Sequence, residues 1–173
     1  MVKQHDVKAT RTISGNTYYV RPFGAFTAAN LTGELSAVIA PLVGTAAFLM
    51  DSSSSAFDLN IEKAMPALVS GFSSLSGDKT ERLMKLLLVE HGNISVDVEG
   101  KRETQLLTED LADDLFCGEI DGMMILVFEV IKANYSGFFE RAAQMLSGSR
   151  IENLVMTMAS RSTEDSTSTS SLT

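Results

Sequence analysis

The chain has 173 residues, of which 45% are hydrophobic and 21% charged, and its formal net charge is −8. That length suits one core-forming domain with a short extension, and the acidic balance argues against nucleic acid or an anionic membrane as partner. The single cysteine, Cys117, excludes an internal disulfide framework.

The first residues, Met1 to Asp6, lack the apolar run of a signal peptide, so the expected compartment is the cytoplasm. Val7 to Ile13 reads as a strand, Ser14-Gly15-Asn16-Thr17 as a turn, and Tyr18 to Arg21 as the return strand, ended by Pro22. Residues 24–50 predict one or two helices rich in small residues, with Pro41 expected to kink or break them. The uncharged stretch from Leu35 to Met50 is shorter than the ~20 apolar residues of a membrane span, so it reads as a buried helix.

Asp51 to Ser55 is expected to be a loop. Ile61, Met65, Leu68, Phe72 and Leu75 then step by four, three, four and three, the spacing of an amphipathic helix. Pro66 belongs in a first turn, which predicts a start near Lys63. Asp78, with Glu81 in the capping-box position, predicts a helix running to about His91 and closed by Gly92. His91 itself suits the negative end of that helix. Asn93 to Val98 alternates with period two, Glu99 to Arg102 is a turn, and Glu103 to Leu107 returns, giving a second hairpin.

Thr108-Glu109-Asp110 opens another helix, with a cap residue and acids at its positive end, and Gly118 ends it. The acids Glu109, Asp110, Asp113 and Asp114 lack the alternation and central glycine of a calcium loop. Asp121 to Leu146 predicts the longest helix. Met124, Val127, Ile131, Tyr135, Phe138, Ala142 and Met145 form one apolar stripe, and Met123, Leu126 and Val130 a second. Ile151, Leu154, Val155 and Met158 suggest a short last helix. From Ser160 to Thr173, ten of fourteen residues are Ser or Thr, too polar to offset the entropy of ordering, so this tail is expected to be disordered. The fold class is therefore α+β: a mainly helical single domain over residues 1–148 with two short β-hairpins, followed by 149–173 as a short helix and disordered tail.

No catalytic constellation is legible. Two distant histidines and one cysteine do not make a zinc site, no phosphate-binding or nucleophile-elbow motif occurs, and Cys117 is expected to be a buried structural thiol. No cofactor is implied and an enzyme is not expected. What stands out is nine methionines and a helix apolar on two sides. Met is unbranched and adapts to irregular surfaces, and a helix with that much apolar surface is either central or covered by a partner. Both readings stand on the sequence: the two stripes are core, or Met123, Leu126, Val130, Phe138 and Phe139 form a partner-binding face.

Two parts of the chain carry a resemblance. Tyr18-Tyr19-Val20-Arg21-Pro22-Phe23 leading into an apolar helix is similar to the N-terminal part of the tail assembly chaperones of long-tailed bacteriophages. Leu106 to Leu111, Leu115 to Glu119 and Phe128 to Phe139 resemble their C-terminal helical part, and the likeness spans roughly residues 13–148. It implies a protein that binds the long, aggregation-prone tape measure protein, and in some cases the tail tube protein, and that acts in the host cytoplasm. It also implies absence from the mature virion and no catalytic residues. A homo-oligomer is compatible with it. The rival is a structural tail or tail-completion subunit of the virion.

Overall fold

A computed structural model describes residues 6–51, 61–138, 141 and 145. Four strands form one antiparallel sheet in the order β1-β2-β3-β4: β1 Ala9–Ile13, β2 Asn16–Val20, β3 Ile94–Asp97 and β4 Gln105–Leu106. The two expected hairpins are both present, and β2 pairs with β3 to join them, with Tyr18 opposite Val96 and Val20 opposite Ile94. Alternation explains the two faces. Tyr18, Val20, Ile94 and Val96 point into the core, while Tyr19 and Asp97 meet on the other side, where the Tyr19 hydroxyl donates to Asp97 Oδ2 at 2.6 Å.

The first turn is tighter than the sequence suggests. Asn16 already pairs with Ile13, so only Ser14 (φ 47°) and Gly15 (φ 81°) make the turn, both left-handed as a two-residue hairpin loop requires. A Cβ on Gly15 would lie 2.5 Å from Glu99 Oε2, a flexible side-chain end that can swing aside, so it is the left-handed φ that favours glycine here. Asn16 is buried, and its side-chain oxygen accepts from the Glu99 backbone N–H at 3.0 Å, pinning one hairpin to the other.

The helices are α1 Ala25–Glu34, α2 Ser36–Asp51, α3 Ile61–Ser73, α4 Gly77–Leu88, α5 Glu109–Phe116 and α6, residues 120–138. The break in the first helical stretch falls at Leu35, not at Pro41. Leu35 is fully buried, and the axis bends by 84° between α1 and the start of α2. Pro41 lies within α2. Its nitrogen has no proton for the Ala37 carbonyl, and α3 approaches at this point: a Cβ on Gly71 would sit 3.2 Å from Ala37 O and 2.7 Å from Val38 Cα. Close helix contact at this point comes from a glycine on α3. Among the described residues no single helix is long and apolar enough to cross a membrane, and the α1–α2 pair reaches that length only across its bend.

Four further expectations are corrected. Ile61 is already helical, so Pro66 falls in the second turn of α3, on its exposed side. The N-cap of α4 is Ser76, and Asp78 is a first-turn acid rather than the cap. This helix stops at Leu88, so His91 is not in its last turn; it packs edge-on against Phe23, with ring centroids 5.4 Å apart. Gly92 still turns left-handed, at φ 57°. Thr108 caps α5 as expected, its Oγ1 accepting from Leu111 N at 3.3 Å, and Gly118 (φ 78°) ends the turn after it. Cys117 is exposed, not buried. The loop at 52–55, the short helix at 151–158 and the Ser/Thr tail lie outside the described residues.

Helix α6 organises the core. Ser14 Oγ donates to Glu119 just before it. Gly122 lets Ile13 approach, with Cγ2 3.0 Å from where a Cβ would stand. Glu129 pairs with Arg11 at 3.7 Å, Asn134 Oδ1 accepts from Phe23 N at 2.7 Å, and the Tyr135 hydroxyl donates to Ala28 O at 2.8 Å. The helix therefore runs from the first hairpin turn along the sheet to α1. Tyr18 stacks on Phe116 of α5 at 5.6 Å, and burial, with the Glu119 carboxylate second, pushes its hydroxyl up to about 12.

Candidate functional site

Four helices that differ in sequence each present an i, i+3 or i, i+4 face to one groove of about 920 Å³. Met65, Val69 and Phe72 come from α3, Thr80, Met84 and Leu88 from α4, Glu109, Ala112 and Asp113 from α5, and Ile120, Met123 and Met124 from α6. Helical periodicity makes this possible, since residues three and four apart stand above one another on one face. In α4 the neighbouring stripe, Leu83 and Leu87, is buried in the core, so this helix uses two adjacent faces for two purposes.

The floor is closed and apolar: Phe72, Leu88, Ala112 and Met124 are all buried. Above it Met65, Met84 and Met123 are half-buried, and Val69 and Ile120 stand at the edge, 49% and 62% exposed. Four of the nine methionines therefore line a single groove, which gives it an unusually deformable wall.

The rim is charged. Lys85 Nζ lies 2.8 Å from Glu81 Oε1 and 2.7 Å from Glu109 Oε1, so it bridges α4 to α5. The hydrogen bond it donates to Glu109, then that to Glu81, holds the Lys85 ammonium well above its usual range, and Lys85 in turn lowers Glu81. Asp113 and Asp121 also line the groove, and among the described residues neither has an ion-pair partner. Four carboxylates face one ammonium.

The expected partner-binding residues divide. Met123 lines the groove. Leu126 and Val130 do not reach the surface: both are 0% exposed, enclosed because α6 is the central helix of the fold and needs both stripes for its own packing. Phe138 is 50% exposed, but it lies fifteen residues beyond Met123, roughly 22 Å along a helix rising ~1.5 Å per residue. Phe139 lies outside the described residues.

Reading the sequence missed the contributions of α3, α4 and α5. The signal was present in Met65 within an amphipathic stripe, in Met84 among the charges of α4, and in Asp113, one turn after Glu109. Among the described residues no three His, Cys, Asp or Glu side chains gather closely enough to hold a metal ion. The groove offers shape, apolar area and negative charge.

A family model described as phage tail assembly chaperone protein, TAC, matches residues 14–147. No curated protein and no solved structure matches the chain.

Proposed function

The chain belongs to the phage tail assembly chaperone family, and on that premise we propose that it binds the tape measure protein and keeps it soluble while the tail tube assembles. The observation that supports this reading is the methionine-lined groove between α3, α4, α5 and α6. A long helical client exposes apolar stripes until its partners arrive. An amphipathic helix lays such a stripe into an apolar groove, and flexible methionines accept stripes of differing register. The net charge of −8 keeps loaded complexes apart in solution. Incoming tube subunits then take the client over. On this reading the protein acts in the host cytoplasm, works by binding without a catalytic step, and leaves before the virion is complete.

Co-expression with the tape measure protein tests the proposal. The wild-type chain is expected to hold it in the soluble fraction and to copurify with it. Met84→Glu and Met123→Glu, which place a carboxylate on the groove wall, are expected to lose it. A tape measure protein that stays insoluble beside the wild-type chain refutes the reading. Mass spectrometry of purified virions is expected to find tube subunits without this chain; its presence there in structural amounts would favour a tail subunit instead.

A further inference from the structure

We infer that the groove selects an amphipathic helix whose apolar stripe is flanked by lysine or arginine, so that the client is recognised by charge as well as by hydrophobicity. The inference rests on the proposed binding function and adds the chemistry of the occupant.

The floor offers no polar anchor. The one buried side-chain atom without a hydrogen-bond partner among the described residues is Asn93 Oδ1, and Asn93 does not line the groove. Small-molecule sites carry a few convergent polar groups that fix orientation; this floor does not, and its walls suit the apolar face of a helix.

The rim supplies the selectivity. Glu81 and Glu109 share Lys85, so that side is already partly neutralised. Asp113 on α5 and Asp121 on α6 have no such cation among the described residues, and both stand exposed beside the apolar floor. An incoming lysine or arginine there gains attraction, while an incoming carboxylate meets like charge, and like-charge contact is a strong means of rejecting wrong partners.

Charge also argues against two other occupants. A second copy of this chain carries −8 and would bring acid to acid. Residues 146–173 hold Arg150 and Arg161 against Glu152, Glu164 and Asp165, two basic residues against three acidic ones, so they bring no net positive charge to the rim either.

Three labelled helical peptides test this, alike in a Leu/Met stripe and differing only in Lys, Gln or Glu at the flanking positions. They are titrated against the full chain by fluorescence anisotropy at about 0.1 M and 1 M salt, where the screening length falls from ~10 to ~3 Å. The Lys peptide is expected to bind at least about tenfold more tightly than the Glu peptide at the lower salt, with the gap closing at the higher. Asp113→Lys combined with Asp121→Lys is expected to reverse the order, and Met84→Glu to abolish binding of all three.

Equal affinities, no binding at all, or Lys-peptide binding that survives Met84→Glu would each overturn the inference. So would a change in oligomeric size caused by Met84→Glu, which would assign the groove to a second copy. Tighter peptide binding by a full chain carrying Leu154→Glu would assign it to the chain's own C-terminal segment. If the peptides fail to discriminate while the tape measure protein is still solubilised, the charge inference falls and the chaperone proposal stands. If the peptides discriminate and the tape measure protein is not bound, the reverse holds.

Discussion

Helix α6 contains two stretches that are equally apolar in sequence and opposite in circumstance. From Leu126 to Tyr135 its apolar residues are enclosed: Leu126, Val127, Val130 and Ile131 are all 0% exposed. At its start Ile120 is 62% exposed and Met123 half-buried over the groove. The difference lies in what stands opposite. The sheet and α1 stand against the first stretch, whereas α3, α4 and α5 leave a gap beside the second. Apolar character all round a helix marks a central position; where it becomes available for binding is decided by other elements.

The largest expected effect breaks the comparison at its buried end. Val130→Asp puts a carboxylate where nothing can hydrate or pair it, and should cost about 4 kcal/mol or more, abolishing the cooperative thermal transition. Met123→Glu, seven residues earlier on the same helix, should leave Tm nearly unchanged while removing client binding. Equal destabilisation by the two would mean that the groove is as closed as the core.

Gly71→Ala comes next. The added Cβ meets Val38 Cα at 2.7 Å, a backbone atom that cannot rotate away, and overpacking of this kind costs about 1–3 kcal/mol. Denaturant melts should show it, together with weaker client binding, because α3 carries Met65 and Val69 of the groove wall. A smaller effect is expected at α5, where Thr108→Ala removes the cap on Leu111 N and should cost about 1 kcal/mol.

The smallest effect concerns acid. Hydrogen bonds from Thr104, then Tyr19, lower the Asp97 carboxyl. A group lowered in the folded state stabilises above its unfolded value, about 3.9 for Asp, and that contribution is lost as pH falls through the lowered folded value. Melts below about pH 4 should therefore show a slightly shallower loss of stability for Asp97→Asn than for the wild type. Asp97 lies on the sheet face away from the core, so the groove's affinity should not change with this substitution.

The hairpins were legible because their signals are local. Period-two alternation at Ile94 to Asp97 and the Gly15 turn need only near neighbours. The cap at Thr108 and the stop at Gly118 were legible for the same reason. The bend at Leu35 was not, because a buried leucine at a corner looks like any helical leucine, while Pro41 looks like a breaker until tertiary packing overrides it. The groove was half legible: the methionines announced an adaptable surface, but Leu126 and Val130 carry the same apolar signal as Met123, and only the fold separates them. The acids of α5 explain themselves as a helix start, and their second role appears only once α4 and α6 stand beside them.

The pairing of Val20 with Ile94 also sets an order of events during synthesis. Four helices lie between the two strands in the chain, so the inner sheet contact cannot close until the residues through Asp97 have left the ribosome, and the N-terminal hairpin must wait with Tyr18 and Val20 unpaired on one side. Contacts of such long sequence separation form slowly. The protein thus passes through an interval in which its own apolar sheet residues are exposed, and its yield should depend on how quickly translation delivers β3.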